Sequence, residues 1–268
     1  MKKNILYSPL SSLVFLMLSN TFFMTFMTIK MNIANVAGSY MGYVHGAFYL
    51  GMLVGALKND KIINRVGHIR AFSVCACLLT ITIILQMYYQ NPITWIAFRF
   101  IAGLAVSGAY VIIESWLISQ STKNTKGKIL SKYMTFLYLS QTVSQFGLDI
   151  VNVRTIEPYV VASILASISV VPSALTYIEA PKIQTSYNIS IKKYFNASPL
   201  GLAGCIVSGL ILSSIYSFLA KYASDFNFSV SKIMGITIAG GFILQMPIGK
   251  LSDIFERSKI LTFISFGI

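Results

Sequence analysis

Long apolar runs alternate along the chain with short polar segments. Eight runs reach the roughly 20 residues that a membrane-spanning helix needs. They cover residues 8 to 29, 39 to 57, 70 to 89, 92 to 119, 129 to 149, 158 to 178, 198 to 220 and 231 to 251, and a ninth begins near Lys259 and reaches Ile268. None alternates apolar and polar positions with the period of two that a β-barrel strand requires. The pattern predicts an all-α polytopic membrane protein with about eight full transmembrane helices and the start of a ninth. The first run follows Lys2 and Lys3 but exceeds the 7 to 15 apolar residues of a signal peptide, so it reads as a span. The longest polar stretch, residues 179 to 197, contains E-A-P-K-I-Q-T-S-Y-N-I-S-I-K-K from Glu179 to Lys193. Its turn formers and weak periodicity suit a linker between two bundles, which divides the chain at 1–178, 179–197 and 198–268.

Composition agrees, with 55% apolar and only 11% charged residues. The net charge of +13 would suit nucleic acid or acidic lipid, so the placement of the basic residues decides between them. Lys2, Lys3, Lys58, Lys61, Arg65, Arg70, Lys123, Lys126, Lys128, Lys132, Lys182, Lys192, Lys193, Lys250, Arg257 and Lys259 fall on one side of the expected topology. The opposite side holds Lys30, Arg154, Lys221 and Lys232. By the positive-inside rule the richer side is cytoplasmic, with the N-terminus and the linker both inside. The basic excess is then topogenic, and nucleic acid is not expected as a partner; membrane lipid is. Cys75, Cys77 and Cys205 all fall inside spans, and the i, i+2 spacing of the first two points them apart, which suits packing rather than a disulfide or metal site.

An internal repeat narrows the class. Phe48 to Leu57 reads F-Y-L-G-M-L-V-G-A-L and Phe242 to Leu251 reads F-I-L-Q-M-P-I-G-K-L, identical at five of ten positions. Each lies in the second span of its expected half and runs into a charged cytoplasmic loop, as parallel repeats do in some transporters. The loops that follow read N-R-V-G-H-I-R from Asn64 to Arg70 and G-K-L-S-D-I-F-E-R from Gly249 to Arg257. Both resemble the loop signature G-x-x-x-D-R-x-G-R-R of the major facilitator superfamily. Arg99 in R-F-I-A-G, ending at Gly103, resembles that family's fourth-helix motif, and the combination of R-V-G-H-I-R with E-S-W-L, Glu114 to Leu117, is similar to a bacterial subgroup of unnamed substrate. The resemblance covers essentially the whole chain. The first loop copy departs from the signature, since Asn64 stands at its aspartate and Asp60 at its glycine unless Gly55 sets the register; Gly249 and Asp253 agree in the second copy. The fifth span lacks the G-P-x-x-G-G run of many drug/proton antiporters.

The resemblance implies a fold of twelve spans, so the chain is expected to be C-terminally truncated, with an incomplete second bundle at 198–268. It implies secondary active transport of a small solute by alternating access in a bacterial inner (plasma) membrane, with protons as the candidate coupling ion. Two rival expectations are a transport-incompetent remnant and a membrane scaffold or assembly factor. No P-loop, zinc cluster, catalytic triad or dinucleotide fingerprint is present, so no enzyme activity and no cofactor are expected, and neither the oligomeric state nor the direction of transport can be read.

Ionisable groups inside a span cost roughly 2.5 to 3.5 kcal/mol at a helix centre, which makes each one a functional candidate. Arg99 lies about 10 Å outward of the fourth helix's midpoint. It reads either as a cavity residue for an anionic group or coupling proton, or as an arginine snorkelling to headgroups. Glu114 lies near the inner end of the same helix, too far to pair with Arg99. Arg65 and Arg70 are its candidate inner-gate partners, and a solvated boundary glutamate is the alternative. His45 is a candidate for proton coupling or a simply hydrogen-bonded histidine. Asn20, in a cavity-lining helix by resemblance, and Gln141 are candidate solute contacts, Gln141 sharing a face with Gln145. Gly55, Asp60, Asn64, Arg65, Gly67, Arg70, Gly249, Asp253 and Arg257 are expected in gating loops, whereas Gly103, Gly108, Gly201, Gly204 and Gly209 are expected in close helix packing.

Overall fold

In a computed structural model of the chain, residues 4–122, 124–176, 199–254, Lys259 and Thr262 are described. Among them the fold is entirely helical. The helices are α1 (Asn4–Ile33), α2 (Gly38–Val66), α3 (His68–Tyr88), α4 (Pro92–Ser119) and α5 (Lys126–Phe146), the last followed by a 3-10 turn at Gly147–Asp149. α6 runs over Glu157–Ile168 and resumes as Val170–Ala174. α7 begins as Pro199–Ser214, passes through a π-helical turn at Ile215–Leu219 and continues as Ala220–Asp225, and α8 is Val230–Ile254. Each of the eight expected spans is therefore mainly helical over its described residues. Five, within α1, α3, α4, α6 and α7, are long and apolar enough among the described residues to cross a membrane by length and composition alone. α2 and α5 are diluted by residues such as His45, Gln141 and Gln145 and pack into the same bundle against α4 and α1. The linker 179–197, Arg257 and most of the ninth run lie outside the described residues.

α1 is the axis of the bundle. Every residue from Ser19 to Ile29 is buried, as expected of a helix apolar on all sides with neighbours all round. α4, α5 and α6 pack against it. Its Phe23 and Phe26 meet Tyr159 of α6 edge-on, at 5.5 and 4.9 Å between ring centroids. Ser19 Oγ donates to the Ala162 carbonyl at 2.7 Å and Ser8 Oγ to the Pro172 carbonyl at 2.5 Å, tying α1 to α6 along its length. α4 starts where Asn91 Oδ1 accepts from the Ile93 N–H at 2.9 Å and Pro92 takes a first-turn position that needs no donor.

α2 and α4 touch backbone to backbone. A Cβ on Gly103 would lie 2.0 Å from the Phe48 carbonyl oxygen, one on Gly51 2.1 Å from that of Phe100, and one on Gly55 2.9 Å from that of Leu104. Gly51 and Gly55 form a G-x-x-x-G face. Gly55 is thus a packing residue inside a helix, not the loop glycine expected from the signature. Gly204 and Gly209, expected in close packing, have open space at their Cβ positions, and Gly201 is exposed. Large apolar side chains such as Leu50, Leu53, Ile81, Ile164 and Leu210 face outward, as lipid contact requires.

The expected loop between the second and third spans shrinks to one residue. α2 continues through Lys58, Asp60, Lys61 and Asn64 to Val66, because nothing in that polar segment breaks a helix until Gly67. Gly67 adopts φ 82° and ψ 168°, a region open essentially to glycine, and α3 starts at His68. Lys126, Lys128 and Lys132 likewise form the exposed first turns of α5 rather than a loop. Gly67→Ala should therefore cost about 1 to 3 kcal/mol through backbone strain alone, its Cβ having nothing to clash with. A lowered melting temperature of the detergent-purified variant checks this.

Candidate functional site

A cavity of about 190 Å³ opens among five helices. α1 contributes Asn20, Thr21 and Met24, α2 Phe48, Tyr49 and Met52, α4 Val106 and Tyr110, α5 Leu137, Tyr138 and Gln141, and α7 Leu212 and Tyr216. The candidate contacts Asn20 and Gln141 therefore line one space. Asn20 is 7% exposed and its Oδ1 has no hydrogen-bond partner. Gln145, one turn beyond Gln141, diverges to the α5–α8 contact, where its Cβ lies near Gly235 and its Nε2 reaches Ser144 Oγ at 3.4 Å. The tyrosines at 49, 110, 138 and 216 were not anticipated, since an aromatic ring in an apolar span reads as packing. The phenol hydroxyl of Tyr110 donates to Met17 Sδ at 2.9 Å.

Arg99 and His45 stand behind this wall. Arg99 is wholly buried, its guanidinium 4.7 Å above the Phe23 ring centroid. Its Nη2 donates to the Phe23 carbonyl at 3.1 Å, its Nη1 lies 3.8 Å from Met24 Sδ, and its Nε has no partner. The side chain thus turns into the bundle onto α1. His45 is also fully buried, its Nε2 2.8 Å from Thr28 Oγ1, which in turn donates to the Tyr216 carbonyl at 3.0 Å. A hydroxyl has one hydrogen to give, so His45 Nε2 is the donor in that chain. The chain ends on the π turn of α7, the kind of local irregularity often found at functional sites.

Further hydrogen bonds join α7 and α8 to the first six helices at the end where α1 meets α2. Asn32 Nδ2 donates to Ser224 Oγ at 3.1 Å and Asp225 Oδ1 at 2.9 Å, and Lys221 pairs with Asp225 at 2.5 Å. Ser231 Oγ, in the first turn of α8, donates to the Asp149 carboxylate at 2.7 Å. A carboxylate there also meets the positive end of the α8 dipole.

The opposite end is held differently. Glu114 is exposed and, among the described residues, has no ion-pair partner; Arg65 and Arg70 are exposed too. His68 Nε2 lies 3.1 Å from Ser115 Oγ, joining the start of α3 to the end of α4. Asp60, Asn64, Gly249 and Asp253 lie on helical backbone, the side chains of Asp60, Asn64 and Asp253 being outside the described set. Cys75 is buried and Cys77 exposed, both as free thiols, and the described residues hold no cluster of metal-binding side chains.

Comparison with known proteins places this geometry. The family model described as "Major Facilitator Superfamily" matches residues 10–268. A curated relative, the "Uncharacterized MFS-type transporter YcaD" of Salmonella heidelberg (strain SL476), is 28% identical over 235 residues, covering 85% of this chain and 61% of the relative. Its counterpart in Escherichia fergusonii is 29% identical over 228 residues, covering 82% and 59%. The chain thus spans about three-fifths of the length of these relatives. Among solved structures, a bacterial homologue of the human lysosomal transporter Spinster, inward-facing and unoccupied, superposes with a TM-score of 0.71 at 15% identity, covering 96% of this chain and 64% of that one. The nucleoside transporter NupG gives 0.66 at 12% identity, covering 94% and 68%, and a D-xylose-proton symporter 0.64 at 14%, covering 94% and 69%. These three likenesses speak for the fold.

Proposed function

This chain belongs to the Major Facilitator Superfamily, and from that premise we propose that it works in secondary active transport, moving a small solute through the α1–α2–α4–α5–α7 cavity by alternating access. It is a multi-pass helical membrane protein of a transporter family. The observation that carries the proposal is the cavity itself, whose walls come both from the first six helices and from α7 across the expected linker. A solute held there touches both groups, so their relative motion changes which side it meets. The proposal includes the division at residues 179–197, a bacterial inner membrane and a cytoplasmic N-terminus, the last supported by the placement of lysine and arginine.

The proposed gates lie at the two ends. Asn32 with Ser224 and Asp225, and Asp149 with Ser231, close the outer end. Glu114 with Arg65 or Arg70 closes the inner end in the alternative state. Contacts made outside and a free Glu114 inside are the combination expected of an inward-facing molecule. Protons are the proposed coupling ion. Arg99 supplies the fixed buried charge that influences it, and His45 links through Thr28 to Tyr216 of α7.

Cysteine-reagent access tests the scheme, with Cys75, Cys77 and Cys205 replaced and a reporter cysteine at Leu137. Asp149→Ala should raise reporter labelling from the outer side. Glu114→Gln should raise it from the cytoplasmic side, and charge reversal at Arg65 or Arg70 combined with Glu114→Arg should partly restore closure. Labelling from one side only, unchanged by every one of these variants, would rule out alternating access at this cavity.

A further inference from the structure

We infer that the cavity takes an uncharged, single-ring solute that presents hydrogen-bonding groups at one edge and an apolar or aromatic face, a substrate class that rests on the transport-site reading above. The described lining holds no Asp, Glu, Lys, Arg or His. An ion entering it leaves its hydration shell for walls that offer no counter-charge, which disfavours a buried, unpaired charge. The nearest fixed charge does not relieve that penalty. Arg99 stands outside the lining, with its guanidinium already held by the Phe23 ring and carbonyl and against Met24, so it repels a cation and offers an anion no direct hydrogen bond. Glu114, the acidic residue of the same helix, is exposed and absent from the lining.

What the walls do offer is specific. The amides of Asn20 and Gln141 and the hydroxyl of Thr21 can each give and accept hydrogen bonds, and Asn20 Oδ1 is buried without a partner. A buried acceptor left in that condition is destabilising, and a donor on the solute's edge relieves it. Aromatic rings line much of the remaining wall, with Tyr110, Tyr138 and Tyr216 on three different helices, suited to a planar ring. The Met24 and Met52 thioethers adapt to irregular outlines. A volume of about 190 Å³ falls below the roughly 300 to 1,000 Å³ typical of drug-sized sites, which limits the occupant to about one ring with small substituents.

Matched sets of probes that share a ring and differ in charge test this on the purified 268-residue chain in lipid nanodiscs. Nicotinamide is neutral, nicotinate an anion and 1-methylnicotinamide a cation; uracil and orotate form a second set. Binding is read by calorimetry, with thermal melting as a check on folding. The expected result is saturable binding of a neutral member at least about tenfold tighter than of its charged partners. Gln141→Leu should lose that binding while melting normally, and Gln141→Glu should turn the preference toward 1-methylnicotinamide. Equal or tighter binding of nicotinate, 1-methylnicotinamide or orotate by the native chain overturns the inference, as does the lack of Gln141-dependent binding by any neutral probe. The two proposals fail separately: a charged probe bound here and moved across a vesicle membrane leaves transport standing, whereas a neutral probe bound here but never moved leaves only the ligand class.

Discussion

Gly103→Val should abolish assembly of the helical bundle, and Gly103→Ala should already destabilise it by more than about 3 kcal/mol, beyond the usual cost of overpacking. The reason is what the new carbon meets. At 2.0 Å from the Phe48 carbonyl oxygen and 2.9 Å from the Met52 nitrogen, it strikes helix backbone, which cannot rotate away as a side chain can. The helices must separate, and the close contact of Gly51 with Phe100 is lost with it. Gly46→Ala in α2 is the matching control, since its Cβ has nothing within 4 Å and alanine is favoured over glycine in a helix by up to about 1 kcal/mol. Monodisperse yield and melting temperature of the three variants make the measurement. A Gly103→Ala protein as stable as Gly46→Ala would show that α2 and α4 do not touch at their backbones.

If the proposed transport holds, Arg99→Ala in a full-length protein should abolish solute uptake into proteoliposomes, while Arg99→Lys retains part of it. A guanidinium buried without a carboxylate partner is expensive to hold in a bundle, and here a ring face, one carbonyl and a thioether hold it. Lysine keeps the charge but loses the planar fork and one of its two polar contacts. Uptake reduced at least about tenfold in Arg99→Ala, in protein that still folds, is the expected outcome. Full uptake by Arg99→Ala would leave the arginine a structural residue of the α1–α4 contact.

The positions of the spans were legible because each apolar run ends in a charged or turn-forming residue, and a helix in lipid has no other way to satisfy its backbone. The ends were less so. Lys58, Asp60 and Asn64 look like a loop by polarity, but a helix leaving the membrane continues through polar residues until something stops it, and only Gly67 does. Asn20 and Gln141 were readable as candidates because a buried amide needs a partner. Their meeting in one cavity was not readable, nor was the path from His45 through Thr28 to Tyr216, which joins residues 188 positions apart. Gly55 shows the same limit in reverse: a signature match placed it in a loop, whereas its lack of a side chain serves a helix contact with Leu104.

The π turn at Ile215–Leu219 sets the register between the two parts of α7. Such a turn accommodates one residue beyond the regular helical repeat. If the turn were drawn out into plain α-helix with Ala220–Asp225 held by Asn32, the segment Pro199–Ser214 would screw about its own axis by about 100° and advance by about 1.5 Å. Tyr216 lies inside that turn, with its ring on the cavity and its carbonyl on Thr28. On the proposed transport reading, a one-residue slip would act as a ratchet tooth, withdrawing an aromatic side chain from the cavity and releasing the Thr28 hydroxyl in the same movement, with no hinge in the loops.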